Sequence, residues 1–357
     1  MQTEDTKWKI CGKTSEAWKD MLAALRSATV SIDVENFIVS DFCDGEIGCQ
    51  LLEVLKNKAR EQVRVRILVD AIGSLDFITN EKQSELEAVG IEVKIFKILP
   101  TRKINNIIGL FLRDHRKLII IDGREAFIGG VCFQDSQATW RDVNISITGG
   151  VMPSLTTTFE NIFSAPEKLE LERFEWTADG FAVLPSAPRN RQIYREILTA
   201  VRKAKMSIII MTPYFAPPAK LLIALLRARR RGVSITFLFS KATDNSVGDL
   251  VLRSYLSMFL KRSCQVFFCT DAVNHGKVVL VDEKWVTVGS ANFDRLSLLY
   301  NNELNIVSTN DKFLAAIGEM LSKVKAVSAE LSLKEWKNRS FKQKVLEILV
   351  RPLRLIA

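Results

Sequence analysis

Histidine is the rarest residue of this chain, with two copies, His115 and His275, among 357 positions. That scarcity excludes histidine-rich metal centres. None of the six cysteines (Cys11, Cys43, Cys49, Cys132, Cys264, Cys269) belongs to a C-x-x-C pair, which excludes zinc ribbons and thioredoxin-like redox motifs. They read as reduced, mostly buried thiols. No apolar run approaches the ~18 to 20 residues needed to span a bilayer, and MQTEDTKWKI at the N-terminus has no apolar signal core. A cytosolic chain is expected. Basic charge is also unevenly supplied: from Lys334 onward there are seven Lys or Arg against two Glu, more than half of the net charge of +9. A basic surface is therefore local.

What is present is enough for a sizeable core, at 47% apolar residues. Short β-branched runs alternate with helical patterns: VSIDVENFIV (30–39), a helix near 46–60, VRVRILVDA (63–71), a helix near 80–89, IEVKIFKI (91–98) and KLIIID (117–122). This alternation predicts an α/β fold. The order then repeats with MSIIIMTPYF (206–215), a basic helix over 219–231, GVSITFLFSKA (232–242), a helix near 247–262, CQVFFC (264–269) and KVVLVD (277–282). The offset between equivalent positions is 176 residues at Ser31/Ser207 and 160 at His115/His275. Such a duplication predicts two similar half-domains, each a mixed β-sheet flanked by helices, facing each other about a pseudo-twofold axis. The expected units are 8–165, a linker at 166–190 marked by Pro185 and Pro188, 191–330, and a basic tail at 331–357.

Each histidine opens the same pattern, HRKLIIIDGREAFIGG from His115 and HGKVVLVDEKWVTVGSANFD from His275. In H-x-K-x4-D the His and Lys are two apart on an extended chain, so an imidazole and an ammonium share one face. A single His beside a strand is usually without function; the chain's two histidines in equivalent places of a duplicated frame are not. Asp142 stands 27 residues after His115 and Glu303 stands 28 after His275. The matched spacing makes them the expected carboxylates that orient each ring, Asp142 for His115 and Glu303 for His275. Asp122 and Asp282 are expected to be structural, fixing the turn after each strand.

The doubled H-x-K-x4-D followed by GSAN (289–292) resembles the phospholipase D superfamily over roughly 28–310. Beyond the motifs, VENFIV, ILVDAIGS (67–74), WRD (140–142), TPYFAPP (212–218) and GSANFDRLS (289–297) look most like the bacterial cardiolipin synthases. The resemblance implies two phospholipase D-like halves with the active site between them, and a phosphatidyltransferase of phospholipid biosynthesis. Its donor would be phosphatidylglycerol and its acceptor an alcohol, a second phosphatidylglycerol above all; water would use the same groups, so a phospholipase D hydrolase stays open as an alternative. It further implies a phosphohistidine on His115, with His275 as general acid/base, although the residues alone leave that order open. Lys117, Lys277, Asn292 and Ser290 would bind the phosphate, without cofactor or metal. One departure is Cys132, which stands where the family more often has Asn. Cys is a weak donor, so the phosphate clamp is expected to be lopsided.

Two segments suit a lipid substrate. TRKINNIIGLFLR (101–113) is apolar with basic flanks and adjoins His115, and it reads either as a loop in the lipid interface or as a loop packed on its own domain. The tail 336–357 places Phe341, Val345, Ile348, Leu349, Leu355 and Ile356 on one helical face among Lys342, Lys344, Arg351 and Arg354. It reads as a surface anchor to anionic lipid, with a helix docked on the fold as the alternative. Peripheral placement on the cytoplasmic side of a bacterial membrane follows as an expectation. A nuclease is the rival enzyme, but the charge does not flank the motifs and no regular aromatic platform is present. A non-catalytic membrane scaffold is a third reading, disfavoured by the intact His and Lys pairs. Oligomeric state is not readable.

Overall fold

The computed structural model describes residues 5–40, 47–75, 79–96, 112–165 and 174–355. Most of the 101–113 segment, and Ile356, lie outside them.

The first half runs β1 (Lys7–Cys11), α1 (Thr14–Ser27), β2 (Ser31–Asn36), α2 (Ile47–Arg60), β3 (Arg64–Asp70), α3 (Asn80–Ala88), β4 (Glu92–Phe96), β5 (Leu118–Ile121), β6 (Glu125–Gly129), β7 (Asn144–Thr148) and α4 (Met152–Ser164). Its seven strands lie in the order β1-β7-β6-β5-β2-β3-β4. β2, β3 and β4 are parallel, as helical crossovers require, while β5 and β6 are antiparallel across the short turn 122–124, and β7, after the longer connection 130–143, runs antiparallel to β6.

The second half repeats the plan. It runs β8 (Phe181–Ser186), α5 (Gln192–Lys203), β9 (Ser207–Met211), β10 (Phe215–Ala216), α6 (Ala219–Arg230), β11 (Ser234–Ser240), α7 (Ser246–Leu260), β12 (Gln265–Cys269), β13 (Val278–Val281), β14 (Trp285–Gly289), β15 (Phe293–Asp294), α8 (Arg295–Leu299), β16 (Glu303–Ser308), α9 (Asp311–Ala326), β17 (Ser328–Glu330), α10 (Leu333–Lys337) and α11 (Phe341–Leu349). The eight-stranded sheet has the order β17-β12-β11-β9-β13-β14-β16-β8. Its six strands β12-β11-β9-β13-β14-β16 match β4-β3-β2-β5-β6-β7 one for one. The duplication in the sequence is thus a duplication of sheets.

One boundary differs from the sequence expectation. Residues 181–186, assigned to the linker because of Pro185, form β8 and pair along their whole length with β16. Proline is tolerated there because β8 is the edge of its sheet, where a missing N–H costs no ladder bond.

Alternation along β5 and β13 explains how the halves join. Ile119, Ile121, Val279 and Val281 pack under the helices of their own half. Leu118, Ile120, Val278 and Leu280 enter one shared cluster with Leu155, Phe159, Leu304 and Ile306. That apolar layer between the two sheets carries both copies of the motif into one junction. Cys11, Cys132, Cys264 and Cys269 are buried and Cys49 is half-buried. No described helix is long and apolar enough to cross a membrane.

Candidate active site

The segments leading into β5 and β13 are strapped to the opposite half. The His115 N–H donates to the Asn302 carbonyl at 3.0 Å, and the Asn302 N–H donates to the Arg113 carbonyl at 2.9 Å. Reciprocally, the His275 N–H donates to Arg141 O at 2.7 Å and the Arg141 N–H to Val273 O at 2.8 Å. Each strap ends one residue before an acid. Glu303 therefore lies against His115, with Nδ1 3.0 Å from Oε1 and 3.1 Å from Oε2, and Asp142 lies against His275, with Nδ1 2.6 Å from Oδ2.

This corrects the pairing expected from sequence, which gave Asp142 to His115 and Glu303 to His275. The residues are the expected ones, but the partners are crossed. Within one half β6 separates β5 from β7, and β14 separates β13 from β16. An acid would then face two strand spacings, roughly 9.6 Å, to reach its own histidine. Across the junction it touches the other one.

Both carboxylates are almost wholly buried, yet both are held below the usual carboxylate range. Burial alone would raise Asp142, but Lys277 and His275 outweigh it. Burial would likewise raise Glu303, and His115, Lys117 and Ser290 outweigh it. Their settings differ. Glu303 Oε2 accepts the Ser290 hydroxyl at 2.5 Å, whereas Asp142 Oδ1 accepts the Val143 N–H at 2.7 Å. The position equivalent to Ser290 is Gly130, where a Cβ would stand 2.2 Å from Asp142 Oδ1. The first motif reads GG and the second GS for this reason.

A carboxylate only accepts, so the proton of each neutral ring sits on Nδ1 and leaves Nε2 with a lone pair. Lys277 Nζ is also 2.7 Å from His275 Nδ1, but its proton has the His275 carbonyl at 2.5 Å as acceptor. Burial lowers the pKa of His115 in spite of Glu303. Burial, with Lys277 beside it, takes His275 down to about 4. Both rings are neutral near pH 7 in the free protein. Burial lowers Lys277 as well.

Lys117 Nζ donates to His115 O at 2.6 Å, and both lysines act on the Cys132 thiol, which burial raises. Cys132 and Asn292 are buried at equivalent places, and Asn292 Oδ1 has no hydrogen-bond partner among the described residues. Ser290, expected among the phosphate ligands, is committed elsewhere: it donates to Glu303 and accepts the Leu304 N–H at 2.9 Å. It holds the acid. Asp122 and Asp282 lie outside the site with φ of 52° and 54°. Asp122 accepts the N–H groups of Thr29, Val30 and Ser31, and Asp282 those of Lys205, Met206 and Ser207. Each fixes the segment entering the neighbouring strand.

Several site residues escaped the sequence reading. Phe37 sets its ring edge against His115, with centroids 5.0 Å apart, and lies 5.1 Å from Lys117 Nζ. Trp140, from the first half, lies 5.0 Å from His275. Tyr214 lies 6.2 Å from the same ring and donates its hydroxyl to Asp244. Trp140 and Tyr214 stand in WRD and TPYF, so their motifs were visible but not their contact with His275.

A charged cluster also underlies His115 alone. The fully buried Arg116 has Nε 2.8 Å from Glu35 Oε1 and 3.1 Å from Asp114 Oδ1, and Arg113 grips Asp70 at 2.7 to 3.0 Å. In the second half the places of Glu35 and Arg116 are taken by Met211 and Gly276, packed so closely that a Cβ on Gly276 would stand 2.4 Å from the Met211 methyl. The signal was the Arg between His115 and Lys117.

Comparison with known proteins places this geometry. A family model described as cardiolipin synthase, PLD-like domain, matches residues 21–165 and 197–325. The chain is 28% identical to a cardiolipin synthase of Halalkalibacterium halodurans, over 97% of this chain and 71% of that one. It is 29% identical to one of Geobacillus kaustophilus, over 94% and 69%. Among solved structures, phosphatidylserine synthase of Haemophilus influenzae superposes with a TM-score of 0.76 at 14% identity, covering 98% of this chain and 93% of that one. Polyphosphate kinase of Porphyromonas gingivalis does so at 0.62 and 11%, covering 99% and 54%. These structural likenesses are of fold alone, and the fold does not choose the phosphoryl compound.

Proposed function

Because the chain belongs to the cardiolipin synthase family with a phospholipase D-like domain, we propose that this phosphatidyltransferase moves a phosphatidyl group from phosphatidylglycerol to an acceptor alcohol, a second phosphatidylglycerol above all. The observation that carries the proposal is the crossed pair of carboxylate-held histidines, each beside a lysine, in one buried junction.

His115 Nε2 attacks phosphorus, and the bond to the glycerol oxygen breaks as that oxygen takes a proton from His275. A phosphatidyl group is then bound to His115 and free glycerol leaves. His275, now neutral, takes the proton of the incoming alcohol, whose oxygen attacks phosphorus and releases His115. Splitting one displacement into two makes each easier, and one imidazole performs both proton transfers. Glu303 stabilises the positive charge that His115 acquires. Lys117, Lys277 and the Asn292 amide face the phosphate oxygens. In the free protein His275 is neutral, with its pKa down at about 4. An anionic phosphodiester beside it offsets Lys277 and raises it, so substrate binding loads the acid.

The test is incubation of the purified protein with labelled phosphatidylglycerol vesicles in chelator. Cardiolipin and glycerol are expected. No lipid turnover, with cleavage of single-stranded DNA instead, would sink the proposal.

A further inference from the structure

α11 is docked by the side that carries Leu346, Glu347 and the following Val350. Phe341, Ile348 and Leu349 are 81%, 55% and 66% exposed, while Glu347 is 4% exposed. At 100° per residue, Phe341, Val345, Ile348 and Leu349 fall within an arc of about 100°, bordered by Lys342 on one side and Lys344 on the other. The opposite arc, with Leu346, Glu347 and the following Val350, is turned to the protein.

Named contacts hold this orientation. Arg339 binds the Glu347 carboxylate through Nε at 2.9 Å and Nη2 at 2.7 Å, and its guanidinium lies 4.2 Å from the Trp336 ring. The buried Trp336 donates its indole N–H to Ser257 on α7 at 2.7 Å. Beyond the helix, Arg354 lies 4.2 Å from the Tyr255 ring and donates to Ser254 at 2.8 Å, while Val350 and Leu353 pack on the core. A helix free to rotate would bury Phe341 and Leu349 and expose Glu347. The latch prevents that.

We propose that α11 is a rigid interfacial platform whose apolar face, Phe341, Val345, Ile348 and Leu349, seats in the surface of an anionic lipid bilayer. Lys342 and Lys344 flank that face on both sides, where their ammonium groups reach the phosphate layer while their stems follow the apolar stripe. Lys334, Lys337 and Arg351 are exposed around it. A second copy on this face would set the same lysine rows against each other, which disfavours it. Both alternatives drawn from the sequence are thereby joined: the helix is docked, and docking turns its lipid-binding face outward. The choice of occupant rests on the lipid reading of the active site.

Flotation of the full chain with phosphatidylglycerol-containing vesicles, beside the triple variant Phe341→Asp, Ile348→Asp, Leu349→Asp, tests the platform. All three side chains are exposed, so the fold should survive. The parent chain should float, less at high salt, and the variant should bind on the order of a hundredfold more weakly, with turnover of a short-chain, water-soluble phosphatidylglycerol unchanged. Equal flotation of the two proteins would overturn the platform. So would a dimer of the parent chain that the variant converts to monomer, since the face would then be a protein interface. Failure of both proteins to turn over the soluble substrate would count against the chemistry and leave the flotation result standing.

Discussion

Glu303, in the second half of the chain, holds the ring of His115 in the first at 3.0 Å, and His275 depends in the same way on Asp142 across the junction. Neither half contains a complete histidine site.

Exchange of the carboxylates for amides should therefore act across halves. Glu303→Gln should lower kcat by roughly 10² to 10⁴ by failing to hold the Nδ1–H tautomer of His115, and should remove the low-field Nδ1 proton resonance of His115 but not that of His275. Asp142→Asn should do the converse. Loss of each resonance with the acid of the same half would restore the uncrossed pairing.

The buried imidazoles set a direction for stability against pH. An unfolded His takes its proton near 6.5, while in the folded chain His275 takes one only near pH about 4. Between those values the unfolded state binds more protons, so acidification favours unfolding. Asp142 and Glu303, with pKa values held below the ordinary carboxylate range, lose their contribution only at lower pH. Urea midpoints should fall from pH 6.5 towards 4 more steeply for the parent chain than for His275→Asn. Parallel curves would contradict the burial of a neutral ring.

Arg116 and Glu35 form a buried ion pair where the second half has Gly276 and Met211. Arg116→Gly alone strands Glu35 and Asp114 and should cost about 3 to 5 kcal/mol in denaturant unfolding. Adding Glu35→Met, which copies the second half, should recover a good part of that loss. A double variant no more stable than the single would mean that the pair serves something other than mutual neutralisation.

Gly130 and Ser290 occupy equivalent places but are not interchangeable. Gly130→Ala puts a Cβ 2.2 Å from Asp142 Oδ1, displaces the carboxylate from His275, and should cost on the order of a hundredfold in kcat. Ser290→Ala removes one hydrogen bond from Glu303 and should cost about tenfold or less. Steady-state kinetics of the two variants decide the order.

The placing of each His beside its Lys was legible because H-x-K-x4-D is local: identity and spacing put the two together whatever the rest of the chain does. The half-domain plan was legible from the repeated strand and helix order. The crossed acids were not, since 27 and 28 residues of spacing fit pairing within a half as well as between halves, and only the strand order removes the ambiguity. β8 was hidden by Pro185, whose meaning depends on whether a strand lies at an edge. Ser290 reads as a phosphate ligand from its motif, because the sequence does not display Glu303 against its hydroxyl. The outward turn of Phe341 depends on Arg339, Trp336 and Ser257, tertiary partners that no helical wheel displays.

If the two histidines divide nucleophilic and proton-transfer work, the covalent intermediate can be trapped on one of them. Rapid quenching of His275→Asn with phosphatidylglycerol, followed by peptide mass analysis, should find a phosphatidyl group on His115, and His115→Ala should carry none. A phosphatidyl group on His275 in His115→Asn, with none on His115 in His275→Asn, would reverse the roles; no covalent adduct in any variant, with turnover in the parent chain, would contradict the account.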